Sequence, residues 1–301
     1  MTARIKRPKL LIAAGVTALS LSIVGPAIAM LPGSDVASHQ HPGSTAIEWD
    51  RVKAAGHAFA IVKATEGTTY VNPHYAEDSI SMQKAGIVRG TYHYALPQFP
   101  AIAQAKHYAA VLATHSTPLD LPPVLDLEET GGLSPFALQA WVRTFLNTLD
   151  NITGRKTIIY VSPGFWRYQM DNTTEFADRP LWIADYNGAS QPTMPLPGGW
   201  KDWTFWQYTG NGRVDGVSTP IDLNTFNGDK AELLALTRQN NPNARANQLG
   251  IDRRKNPVRN TERTATLPGN VKVRVPSQSE VDEIVKQLPG DVPREIRKYL
   301  R

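Results

Sequence analysis

The chain has 301 residues, enough for one large domain of roughly 200–250 residues plus additional segments. It is 41% hydrophobic and 20% charged, a balance that supports a sizeable core and excludes wholesale disorder. There is no cysteine, which excludes disulfides, a thiol nucleophile and a thiolate metal site.

The first segment reads as a secretory signal peptide over residues 1–29. Arg4, Lys6, Arg7 and Lys9 form a basic region, Leu10 to Gly25 is an apolar run, and Ala27-Ile28-Ala29 supplies a small-residue cleavage signal. An uncleaved membrane anchor is the alternative, since the run approaches the ~18–20 residues that span a bilayer. Beyond it the net charge of +5 is unevenly divided. Residues 30–239 carry 15 Lys/Arg against 20 Asp/Glu, whereas residues 240–301 carry 13 against 7. The body is acidic and the basic stretch has no recognisable motif, so no nucleic-acid partner is expected.

Residues 30–238 alternate β-rich runs with helical stretches. Strands are expected at "HAFAIVKA" (57–64), "GIVRGTYHYA" (86–95), "LPPVLDLE" (121–128), "KTIIYVS" (156–162), "PLWIADY" (180–186) and "WTFWQYT" (203–209). "TAIEWDRVKAAG" places Thr45 and Glu48 at capping-box spacing before a helix that closes on Gly56. "SPFALQAWVRTFLNTLDNITG" has Ser134 as N-cap and Pro135 at the first helical position. Repeated β-then-α units imply a parallel sheet or an α/β barrel. Residues 239–276 are polar, basic and rich in Asn, and read as a linker. In residues 277–301, Val281, Ile284, Val285 and Leu288 fall on one face of a short amphipathic helix, and a further turn or two begins at Pro293.

The chemistry concentrates at "LPPVLDLEE". A strand period of two puts Asp126 and Glu128 on one face with Leu125 and Leu127 on the other, and Glu129 away from the pair. Carboxyls that close raise one another's pKa, giving one proton donor and one carboxylate, the division of labour in glycoside hydrolysis. Read locally, they are equally well rim or helix-capping carboxylates. Asp35 in "GSDVASHQ" ends the first expected strand and Asp222 in "PIDLNTF" the last, so closure of a barrel would gather four acids in one mouth.

Six motifs in order, "DVASHQ", "VKATEGTTYVNP", "GTYHYALP", "LPPVLDLEE", "LWIADY" and "FWQYTGNGRVDGVSTPIDLNTF", resemble the set found in glycoside hydrolase family 25 lysozymes, the N-acetylmuramidases of the Chalaropsis type. The resemblance spans about Ser34 to Leu236. It implies an α/β fold, a modified TIM-like (β/α) barrel, and hydrolysis of the β-1,4 bond between N-acetylmuramic acid and N-acetylglucosamine in peptidoglycan. Carried over by position, Glu128 is the general acid and Asp126 its partner, with Asp35 and Asp222 as two further active-site aspartates. Retention of configuration by the substrate's own acetamide is implied as well. Many members have Ser directly after the Val of "DVASHQ" and an aromatic before its Gln; this chain has Ala37 and His39 there.

Tyr92, Tyr160, Trp182, Tyr186 and Gln207 stand near expected strand ends and by resemblance line the sugar groove; for each alone, core packing is an equal reading. Tyr94 belongs to the same group. Lys63 and Glu66 read as an ion pair supporting the site. His39, His41 and His93 lack metal-ligand spacing, and "TGNGRVDG" lacks the Lys-Ser/Thr ending of a phosphate loop, so neither metal nor cofactor is expected. The partners implied are glycan strands of peptidoglycan, and anionic wall polymers drawn to Arg253, Arg254, Lys255 and Arg259; a monomer is expected. The competing readings are a wall-binding protein without turnover and a barrel hydrolase of chitin-like polymers.

Overall fold

The computed structural model describes residues 30–117, 119–238, 264–267 and 271–274. The expected signal peptide, most of the linker and the helical tail of residues 277–301 lie outside the described residues. The chain divides into two compact units, Met1–Arg245 and Ala246–Arg301.

The first unit is a closed barrel. Its strands are β1 (Met30–Val36), β2 (Phe59–Glu66), β4 (Val88–Tyr94), β5 (Val124–Asp126), β6 (Ile158–Val161), β7 (Leu181–Ala184), β8 (Phe205–Gly212) and β9 (Ile221–Asn227), while the two-residue β3 (Tyr70–Val71) flanks β2. The order is β1-β9-β8-β7-β6-β5-β4-β2-β3, and an added β1–β2 pairing closes eight strands into a ring. Within the ring all neighbours run parallel except β9, which is antiparallel to both β8 and β1; the flanking β3 is antiparallel to β2. This is the modified (β/α) barrel that the motif order implied.

Helices α1 (Trp49–Ala54), α2 (Tyr75–Lys84), α3 (Ala101–His115), α4 (Pro135–Thr153) and α5 (Pro163–Gln169) follow successive strands, and α6 (Lys230–Arg238) follows β9. α4 begins as its sequence dictates: the Ser134 hydroxyl accepts from the Ala137 amide, Pro135 takes the first turn, and Gly154 at φ 68° ends it. The expected capping box before α1 does not form. The helix starts only at Trp49 with no side-chain cap, because the two amides a capping box would satisfy are already used: Thr45 donates to the Pro42 carbonyl and Glu48 to the Gly216 carbonyl.

Strand alternation sorts the apolar residues into two layers. Phe59, Ile61, Val124, Ile158, Phe205 and Phe226 fill the barrel. Val62, Leu125, Val161 and Ile183 point outwards to meet Tyr108, Trp141 and Phe145 of the helices. Gly33 leaves room for the Phe59 ring, whose atoms would lie 2.5 Å from any Cβ there.

In the second unit, β10 (Thr264–Leu267) pairs antiparallel with β11 (Val271–Arg274). These two strands fall within the stretch read as linker.

Candidate functional site

Where the parallel strands end, they surround an open cavity of about 200 Å³. Asp35, Asp126, Glu128 and Asp222 supply its acids. Tyr92, Tyr160, Trp182, Tyr186 and Gln207 complete the wall. The structure therefore brings nine of the ten residues singled out in the sequence around one space; the tenth, Tyr94, is not part of its wall.

Two placements differ from expectation. β5 stops at Asp126, three residues long, so Glu128 stands beyond the strand rather than on it. The last pair on β6 is Asp126 with Tyr160, and the Leu127 amide still donates to the Tyr160 carbonyl. Inward and outward alternation nonetheless persists: Leu125 and Leu127 both join the outer layer, and Asp126 and Glu128 both face the cavity. Asp222, for its part, opens β9 instead of ending it. Since β9 is antiparallel, its first residues reach the rim where its neighbours have their last, and Asp222 is the direct register partner of Asp35.

Asp35 is buried, at 5% exposure. Its Oδ2 accepts from Gln207 Nε2 at 2.8 Å and from Asn224 Nδ2 at 2.7 Å. Burial pushes its carboxyl well above the usual range, and Asp222 adds to this. Burial also raises Asp222. The hydroxyls of Tyr160 and Tyr186 both donate to Gln207 Oε1, at 2.8 and 2.6 Å, and the Trp182 indole packs edge-on against Tyr160 with centroids 4.6 Å apart.

Asp126 is likewise 5% exposed, and its Oδ1 has no hydrogen-bond donor among the described residues. Burial raises its carboxyl well above the usual range, with the facing Glu128 as the next cause. Glu128 is exposed on its solvent side, yet the walls of the mouth still raise its carboxyl by desolvation, while Lys63 opposes the rise. The arrangement raises the proton affinity of every carboxyl in the mouth above the usual range and leaves one acceptor, Asp126 Oδ1, open.

At the rim, Lys63 Nζ lies 2.6 Å from Glu66 Oε2 and 4.7 Å from the centre of the Tyr94 ring. A register shift in β2 between Lys63 and Thr65 interrupts the strand here. Tyr94 donates its hydroxyl to Glu129 Oε1 at 3.0 Å, so Glu129, set aside on sequence grounds, braces the neighbouring strand. His41 pairs with Asp78 and His93 lies between Thr65 and Gln104. One contributor escaped the sequence reading: Asn224, fully buried, whose only signal was its place two residues after Asp222 on the same face of a strand.

The family model described as "Glycosyl hydrolases family 25" matches residues 34–217. The chain is 39% identical over 223 residues to "Lysozyme M1" of Streptomyces globisporus, covering 71% of this chain and 74% of that protein. It is 33% identical over 187 residues to the "N,O-diacetylmuramidase" of Chalaropsis sp, covering 58% of this chain and 86% of that protein. Among solved structures, the bacterial lysozyme from Streptomyces coelicolor superposes with a TM-score of 0.63 at 35% identity, covering 70% of this chain and 98% of that chain.

Proposed function

The chain belongs to glycosyl hydrolases family 25 and is thus a glycoside hydrolase; from that premise we propose that it is an exported muramidase. It cleaves the β-1,4 bond between N-acetylmuramic acid and N-acetylglucosamine in peptidoglycan. The observation that carries the reading is the pairing of Asp126, buried with an unpartnered Oδ1, with Glu128, exposed at the mouth.

Glu128 is the general acid and protonates the glycosidic oxygen. In the free site, burial favours the proton on Asp126, because the charge is cheaper to keep on the wetter carboxyl. The N–H of the substrate's 2-acetamido group supplies the donor that Asp126 Oδ1 lacks. That contact favours the ionised form of Asp126 and leaves the proton on Glu128, where it is used. Asp126 then orients the acetamide, whose oxygen attacks the anomeric carbon, so configuration is retained without an enzyme nucleophile. Asp222 stabilises developing positive charge on the sugar with Asp35 behind it as its register partner, and Tyr92, Tyr160, Trp182, Tyr186 and Gln207 seat the ring.

Residues 30–238 form the catalytic domain, residues 1–29 direct export, and the basic stretch after residue 238, which includes the paired strands β10 and β11, is attracted to anionic wall polymers through Arg253, Arg254, Lys255 and Arg259. Digestion of defined peptidoglycan tests the chemistry. N-acetylmuramic acid at every new reducing end, with retained anomeric configuration by NMR, is expected; N-acetylglucosamine ends or clean inversion overturn it. Equal release of reducing sugar by wild type and Glu128→Gln would leave only a wall-binding role.

A further inference from the structure

One buried side chain in the wall of the mouth has no part in the chemistry above. Asn224 on β9 is fully buried and bridges Trp182 to Asp35. The indole N–H can only donate, so the amide oxygen of Asn224 must face it, at 2.8 Å. That turns the amide nitrogen to Asp35 Oδ2, at 2.7 Å. Gln207 Nε2 donates to the same oxygen at 2.8 Å. With two N–H donors on Oδ2, a proton on Asp35 has only Oδ1 to occupy, on the side left to its register partner Asp222. Asp35 is buried and Asp222 only half-buried, so the negative charge costs less on Asp222.

We propose that Asn224 is a positioning residue: held by Trp182, it occupies Oδ2 of Asp35 and confines the proton that burial keeps on this carboxyl to Oδ1, where it faces Asp222, the member of the pair that stands ionised in the mouth. Trp182 also lines the cavity, so one chain of hydrogen bonds joins a sugar-facing indole to the location of the charge. The other titratable groups around Asp35 are Asp126 at the end of β5, Tyr92 on β4, Tyr160 on β6 and Tyr186 after β7; Glu128 faces Asp222. None of these is a cation, so the two amides are the groups that select the oxygen.

The rate consequence rests on the muramidase reading, whereas the protonation consequence does not. The test is a carboxyl-carbon NMR titration of the full chain labelled at Asp, with Asp222→Asn for assignment, alongside pH profiles on purified cell-wall peptidoglycan. In wild type, Asp35 remains protonated where Asp222 is already ionised. Asn224→Ala raises the Asp35 midpoint by about one pH unit, since a donor to its charged form is lost, and lowers kcat roughly tenfold with little change in KM. Trp182→Phe keeps Asn224 but frees its amide to turn, and moves the midpoint the same way; it decides the matter if Asn224→Ala does not fold. Unchanged midpoints in both variants, or a wild type in which Asp222 holds the proton, overturn the proposal. A wild type that titrates as stated but releases no muropeptides refutes the muramidase reading alone.

Discussion

Asp35 and Asp222 occupy directly opposed positions on the antiparallel strands β1 and β9, a site where like charges ordinarily weaken a sheet. A position that opposes folding and serves a cavity trades stability for function. Asp222→Asn, which removes the half-buried charge of the pair, is therefore expected to raise Tm at neutral pH by roughly 2 °C, from about 0.5–1 kcal/mol of avoided desolvation, while activity on cell walls collapses. Calorimetry beside a turbidity assay checks both; a lower Tm would show that the pair stabilises the barrel.

Buried carboxyls held above their usual range set the pH dependence of stability. Asp35 and Asp126 are raised chiefly by burial, so the folded chain holds protons there that the unfolded chain releases above about pH 4. Stability must then fall as pH climbs from the ordinary carboxylate range through the raised values, by roughly 1.4 kcal/mol per pH unit for each extra proton. Tm measured between pH 5 and pH 8 should decline, and Asp35→Asn should flatten the slope.

His41 adds a second contribution of the same sign. Its Nδ1 lies 3.0 Å from the Thr45 carbonyl and its Nε2 2.9 Å from Asp78 Oδ2, so both ring nitrogens face acceptors and both carry protons. Burial alone would lower its pKa, but Asp78 and Glu77 together with the Thr45 carbonyl outweigh it and the value is raised. The ring also stacks on His74, 3.9 Å between centroids, and Trp49 Nε1 donates to Asp78 Oδ1 at 3.0 Å. The stabilisation is present at pH below the ordinary imidazole value and lost as pH rises through the raised one. Asp78→Asn should cost about 3 kcal/mol at pH 6 and less at pH 9, measured by urea unfolding.

Glu128→Gln should reduce reducing-sugar release by about 10²–10⁴-fold, the range for a positioned general acid. Because Glu128 is exposed, its Tm should stay within roughly 2 °C of wild type. A large loss of stability instead would mark the residue as structural.

Gly210 makes a separate steric prediction. A Cβ there would stand 3.0 Å from Asp222 Oδ1 and 3.5 Å from the Tyr186 hydroxyl. Gly210→Ala should displace the Asp222 carboxyl and lower kcat/KM roughly tenfold, with little effect on folding since the residue is exposed. Unaltered kinetics would show that the carboxyl has room to give way.

Local pattern made the barrel legible: alternation in the strands, the Ser134-Pro135 start and the Gly154 stop of α4 are all short-range signals. The four acids were legible from their places near expected strand ends, whereas Tyr92, Tyr160, Trp182, Tyr186 and Gln207 were marked as groove residues by the family resemblance, each alone reading equally well as core. What stayed hidden depends on partners far along the chain. The direction of β9 is invisible in "PIDLNTF", since a strand reads alike either way. The end of β5 at Asp126 depends on pairing with β4 and β6, and the missing cap of α1 on the Pro42 and Gly216 carbonyls that take the Thr45 and Glu48 amides. Asn224 looked like any polar strand residue until Trp182 and Asp35 closed around it.

Closure of the ring by β9 has a consequence for biogenesis. The bond from Asn224 to Asp35 joins residues 189 positions apart, so the first acid is made early in synthesis and its supports among the last parts of the body. A chain interrupted before β9 carries Asp35, Asp126 and Glu128 but neither Asp222 nor the amide that holds Asp35. The cavity wall is thus complete only once β9, the last strand of the body, has closed the ring.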